Sequence, residues 1–178
     1  MGQRPFFHTW TNQNSAKKIN INSTFDWGLI DQKNNKVYDL SSGSYHQSFG
    51  LRNSLLESAL VDQVKTLPMA TPKAQFTLKD EVSKRLLSRI GIDGRIFYTL
   101  SGAESNENAI KMARQITGKQ IILSCQNSYH GATLGALSIT GDWRSAGAGA
   151  PSEYQAFIPN FYDDPQLIKT EFIINEVG

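Results

Sequence analysis

The chain has 178 residues, 39% hydrophobic and 19% charged, which matches the size and composition of one globular domain able to bury a core. Eighteen Lys and Arg against sixteen Asp and Glu leave a net charge of +2, too small for a nucleic-acid footprint or a membrane-binding face. Apolar runs such as Ile121-Ile122-Leu123 and Phe172-Ile173-Ile174 fall far short of the roughly 20 residues that span a bilayer. No continuous apolar stretch follows Met1, so the N-terminus does not read as a secretory signal. The single cysteine, Cys125, has no internal disulfide partner, which fits a reducing cytoplasm.

Residues 1–24 are polar, carry aromatics at the front and show no sustained period; they read as an arm. Trp27-Gly28-Leu29-Ile30 and Val37-Tyr38-Asp39-Leu40 flank Asn34-Asn35, which tolerates the positive φ of a hairpin turn. From 54 to 67, Leu55, Leu56, Ala59, Leu60, Val64 and Leu67 form a helical face that Pro68 ends. A second helix is expected over 78–90, with Val82, Leu86, Leu87 and Ile90 on one face and Gly91 and Gly94 after it. A strand is expected over 95–100. A third helix follows over 103–117, with Ala109, Ile110, Ala113 and Ile116 as its buried stripe and Gly118 as its C-cap. Residues 119–125 read as a strand covered on both faces. Strand, helix and strand in succession predict a parallel α/β sheet. Residues 142–156 are Gly/Ala/Ser-rich and aperiodic, and read as a long loop. Residues 172–178 read as a buried strand, an unusual place for a domain to stop.

Chemistry concentrates where a strand runs into the third helix through Ser101-Gly102-Ala103-Glu104. Free N–H groups and the positive end of the helix dipole favour a phosphate there, and Gly102 lets it approach the main chain. Ser101 and Glu104 also spell a capping box that needs no ligand. The next strand ends in Gln126-Asn127-Ser128-Tyr129-His130-Gly131-Ala132-Thr133. Ligands of parallel α/β sheets sit outside the carboxyl ends of the strands, so this loop and the Ser101-Gly102 turn are expected on one edge. Tyr129 suits stacking on a flat cofactor, or is a half-buried loop tyrosine. His130 reads equally as a turn histidine bonded to backbone.

Taken together, the run from Ser101-Gly102-Ala103-Glu104-Ser105-Asn106-Glu107 to Arg114, then Thr117-Gly118, then Ser128-Tyr129-His130-Gly131-Ala132-Thr133-Leu134-Gly135 and Thr140-Gly141, closely resembles the class III aminotransferases, which use pyridoxal phosphate (PLP). Lys36-Val37-Tyr38-Asp39-Leu40 with Gly43 and Gly50 is similar to the family's early hairpin. The resemblance implies a PLP-dependent fold type I α/β protein, a mostly parallel sheet with helices on both faces, incomplete at the C-terminus. Residues 1–50 would supply the arm and small-domain hairpin, and 51–178 the start of the large PLP-binding domain.

Carried over to this sequence, the resemblance gives Gly102 and Ala103 backbone N–H contacts to the PLP phosphate, with Ser101 beside them. It stacks Tyr129 on the pyridine ring, places Tyr45 at the substrate pocket, and leaves His130 and Gly131 a positional role. Two alignments of the terminal strand are open. Glu176 matches a pocket glutamate, or Asn175 falls where an aspartate contacts the ring nitrogen; the first is preferred because the distance from His130 is already short for the family. PLP chemistry also needs a lysine that holds the cofactor and shuttles a proton, and an acid that keeps the ring nitrogen protonated. No lysine here stands in the matching context, so no catalytic residue and no metal site are assigned. The expectation is the N-terminal part of a cytoplasmic, homodimeric enzyme that moves an amino group between an amino donor and a 2-oxo acid or aldehyde. An aminomutase or decarboxylase on the same fold, or a non-catalytic PLP-binding remnant, is the alternative.

Overall fold

The computed structural model describes residues 5–16, 19–151 and 153–159. They belong to two compact units, the first running to Glu81 and the second beginning at Val82.

The first unit opens on an antiparallel sheet of β1 (Ile21–Phe25), β2 (Gly28–Asp31) and β3 (Lys36–Tyr38) in that order. β2 and β3 form the expected hairpin, with Leu29 opposite Val37. Asp31 builds its turn: Oδ1 accepts the N–H groups of Lys33 and Asn35 at 2.8 Å each, and Asn34 takes φ +62°. β1 falls mostly within the stretch 1–24, where the sequence shows no sustained period. Its Asn-Ser-Thr centre lacks the alternation that marks a half-buried strand, and it is held instead by main-chain pairing, Thr24 opposite Leu29. A single turn, α1 (Ser42–Tyr45), follows, in which all four residues have positive φ. Asp39 braces it, accepting from Ser41 N and, at 2.6 Å, from Gly43 N.

α2 (Ser54–Thr66) starts one residue after Asn53, whose Oδ1 accepts from Leu55 N and Leu56 N. α3 (Thr77–Ile90) ends at Gly91, φ +74°. Both helices were legible, but neither contains a buried residue. Leu60, for instance, is 67% exposed. Periodicity identifies a face that wants cover; it does not supply the cover.

In the second unit, the segment 95–100 forms no strand among the described residues, which corrects the expectation of one there. A β-favouring run becomes a strand only when a neighbour accepts its hydrogen bonds. α4 (Gly102–Thr117) is capped at its start by Ser101 and at its end by Gly118, which takes φ +69°. β4 (Ile122–Cys125) pairs in parallel with β5 (Gln155–Ile158), Cys125 opposite Ile158. β5 and a 3₁₀ turn at Trp143–Ser145 lie in or overlap the stretch read as a featureless loop. The short helix α5 (Leu134–Ser138) lies between β4 and β5 in sequence. The parallel pair agrees with the α/β expectation.

The buried core is small and centred on α5: Ile110, Ala136, Leu137 and Ile139, with the polar Ser124 and Thr140. The sizeable core inferred from composition is therefore not what the described residues bury. The stripe chosen on α4 is corrected as well, since Ile116 is 80% exposed and Ala109 and Ala113 face solvent. The covered face runs through Ala103, Asn106, Glu107, Ile110 and Arg114, spaced by three and four as a helix requires. Of its polar members, Asn106 and Glu107 bond the approach to α5 and α5 itself. No helix among the described residues is long and apolar enough to cross a membrane.

Candidate functional site

The start of α4 is built by its own sequence. Ser101 is extended, φ −152° and ψ 159°, and its Oγ accepts from Glu104 N at 3.1 Å. The Glu104 carboxylate turns back and accepts from Leu100 N at 2.9 Å. The capping box therefore forms, shifted by one residue at its second bond, but it consumes only one of the first helical N–H groups. Those of Gly102 and Ala103 lie too early to find an acceptor four residues back. A Cβ built on Gly102 would meet nothing within 4 Å, and Gly102 does not have positive φ. Neither backbone conformation nor crowding within the chain calls for glycine at 102. Open space in front of two free N–H groups at the positive end of a 16-residue helix suits a phosphate.

The second loop is brought to this point by residues that composition did not mark. Gly131 has φ +139°, and a Cβ there would stand 2.6 Å from Ala103 Cβ and 2.9 Å from Ala136 Cβ. Only glycine lets the loop reach the first turn of α4. Asn106 Nδ2 donates to His130 O at 2.6 Å. Glu107 Oε1 accepts from Gly135 N at 2.8 Å and Ala136 N at 3.1 Å, so a side chain of α4 caps α5. The hydrogen bond from the Thr133 side chain, joined by these N–H groups and by Arg114, holds the Glu107 carboxyl below its usual range despite partial burial.

From the other side, buried Thr140 accepts from His130 N at 3.1 Å and donates to Ala136 O at 2.9 Å. Ser128 donates its hydroxyl to Cys125 O, leaving its oxygen to accept from His130 Nε2 at 3.0 Å. That assigns the ring proton to Nε2. His130 thus serves as a positioned turn histidine.

Ser101, Gly102 and Ala103 are accordingly joined, through Gly131 and Asn106, to the loop that carries Tyr129. Tyr129 itself is 44% exposed. Tyr45 belongs to the first unit; it is exposed, with φ +77°, and lines a shallow cleft with Leu40, Ser41, Ser44 and Ser48. Glu176 and Asn175 lie outside the described residues. Lys111 donates to Asn108 Oδ1 on the surface of α4. Residues missed by sequence reasoning are Asn106, Glu107, Thr140 and Gly135. A signal for the first two was present: they precede Ile110 by four and three positions, on its face of the helix.

The whole of this arrangement lies in a segment that matches a known family. The aminotransferase class-III model matches residues 11–175. The chain belongs to the class III aminotransferase family. Over 139 residues it is 33% identical to the diaminobutyrate–2-oxoglutarate transaminase of Nocardia farcinica, a match covering 74% of this chain and 32% of that protein. Over 113 residues it is 39% identical to the acetylornithine aminotransferase of Streptococcus mutans, covering 64% and 29%. The taurine:2-oxoglutarate aminotransferase of Bifidobacterium kashiwanohense, solved with PLP and glutamate, superposes with TM-score 0.80 at 30% identity, over 89% of this chain and 36% of that one. An amine transaminase from an uncultivated Pseudomonas species shares the fold, with TM-score 0.82 at 21% identity, over 98% and 44%. The chain spans about a third of the length of the curated relatives it matches.

Proposed function

We propose that this chain carries the phosphate-binding and ring-stacking part of the PLP site of an aminotransferase, which moves an amino group from an amino donor to a 2-oxo acid or aldehyde. The observation that carries the reading is the unclaimed N–H pair of Gly102 and Ala103, open in front, with the Tyr129 loop drawn to it by Gly131. Gly102 and Ala103 hold the phosphate through backbone N–H groups, and the Ser101 hydroxyl, fixed by its cap bond, borders it. Tyr129 offers a ring face to the pyridine, Tyr45 shapes the substrate side, and Glu176 borders the pocket. When bound, PLP supplies an electron sink for bonds at the substrate carbon bearing the amino group. The lysine and the acid that this chemistry requires come from a part of the complete protein outside these residues, in keeping with the third of the relatives' length that is spanned. The complete protein is a cytoplasmic homodimer in this reading.

The test is made on the complete protein, with PLP, an amino donor and a 2-oxo acid, following the amino group into product. Transfer in the wild type, and loss of PLP binding in Gly102→Val, are expected. Rearranged amino acid or released carbon dioxide would instead identify an aminomutase or a decarboxylase, and bound PLP without turnover a non-catalytic protein.

A further inference from the structure

The carbonyl of Ser101, just before α4, is within reach of three donor atoms. It accepts from Ser105 N at 3.1 Å, the first bond of the helix. Ser105 Oγ stands 3.2 Å from the same oxygen and Thr99 Oγ1 3.1 Å from it, and the two hydroxyls are themselves hydrogen-bonded. Each hydroxyl has one proton, so one bonds the carbonyl and the other bonds the first hydroxyl. A serine within a helix commonly back-bonds to the carbonyl four residues earlier. Thr99 reaches that oxygen from outside the helix, and local helix bonding does not call for it. The groups on either side are pinned as well, Leu100 N donating to Glu104 Oε2 at 2.9 Å and Glu104 N to Ser101 Oγ at 3.1 Å. The peptide that joins Ser101 to Gly102 is planar, with its C=O and N–H pointing in opposite directions. Whatever fixes the Ser101 carbonyl therefore aims the Gly102 N–H out of the helix end.

We propose that Thr99 and Ser105 are positioning residues whose hydroxyls clamp the Ser101 carbonyl and so aim the Gly102 N–H at the phosphate of PLP. The proposal rests on the reading that Gly102 and Ala103 bind that phosphate. The first peptide of a helix is bonded through its carbonyl alone, and a ligand that binds its N–H must otherwise order it; fixing it beforehand removes that cost. Donation to the carbonyl also polarises the amide and strengthens its N–H as a donor. Because either hydroxyl alone reaches the carbonyl, at 3.1 or 3.2 Å, each can stand in for the other.

The experiment titrates the complete protein, freed of cofactor, with PLP and with pyridoxal, which lacks the phosphate, and reads cofactor absorbance. The double variant Thr99→Val, Ser105→Ala is expected to bind PLP about fivefold more weakly and pyridoxal as the wild type does. Pyridoxal binding also shows that the double variant is folded. Thr99→Val and Ser105→Ala taken singly should each keep most of the PLP affinity, since one hydroxyl remains. Wild-type PLP affinity in the double variant, an equal loss for pyridoxal, or single variants as weak as the double would each overturn the proposal. A wild type that binds pyridoxal as tightly as PLP would instead overturn the phosphate reading, and the proposal with it.

Discussion

α2 and α4 begin alike and end in different circumstances. Each has an extended cap residue whose side chain accepts from the first turn, Asn53 in one and Ser101 in the other, and each has an apolar stripe. Yet α2 buries no residue, whereas α4 is tied to a loop and to α5 by Asn106, Glu107 and the close approach of Gly131. Caps and periods are local and come cheaply from sequence. What sets α4 apart is a set of bonds to residues far along the chain, made by polar groups on its covered face.

The difference can be attacked where it is greatest. Gly131→Val forces a Cβ onto Ala103 and a branched residue into a left-handed backbone, and should cost about 3 kcal/mol or more, measured by denaturant unfolding. Thr140→Val removes a buried acceptor for His130 N and a donor to Ala136 O, an expected loss of about 2 kcal/mol. Ser101→Ala deletes the α4 cap and should cost about 1 kcal/mol, while leaving the Glu107 bonds in place. Glu107 gives a pH signature. Its folded carboxyl ionises below its ordinary value of 4.5, chiefly through the Thr133 hydrogen bond. The stabilisation it provides is complete above that value and is lost as pH falls through the lowered folded one. Acid titration of stability should therefore be flatter in Glu107→Gln than in the parent. At the other pole, Leu60→Ala on exposed α2 should shift the stability of this 178-residue chain by less than about 0.5 kcal/mol; a larger loss would mean that the α2 face is covered after all.

Much of the candidate site was legible because its pieces are local. Ser101, Gly102 and Ala103 follow from capping and dipole arguments, and Tyr129 from its place after a strand. The hairpin at Asn34 and the three long helices follow from turn chemistry and period. What escaped depends on partners. The run at 95–100 has strand composition, but composition cannot provide a ladder neighbour. β1 has strand geometry without strand patterning, because an edge held by main-chain bonds leaves its side chains free to be polar. The covered face of α4 was misplaced because Asn106 and Glu107 count as surface residues in any hydropathy pattern. They are half-buried against main-chain groups, a carbonyl for Asn106 and N–H groups for Glu107, and main-chain partners are invisible to a scale that weighs side chains.

The β4–β5 ladder bears on how the molecule assembles. Its rungs join residues roughly thirty positions apart, so closing it costs substantial chain entropy that no local turn repays. The stretch between holds Gly131, α5 and Gly141, the same residues that seat the Tyr129 loop on α4. Docking that loop shortens the search that brings β5 alongside β4, and the site and the parallel pair are expected to form in one kinetic step. Slow refolding of Gly131→Val, beyond its loss of stability, would be the mark of that coupling.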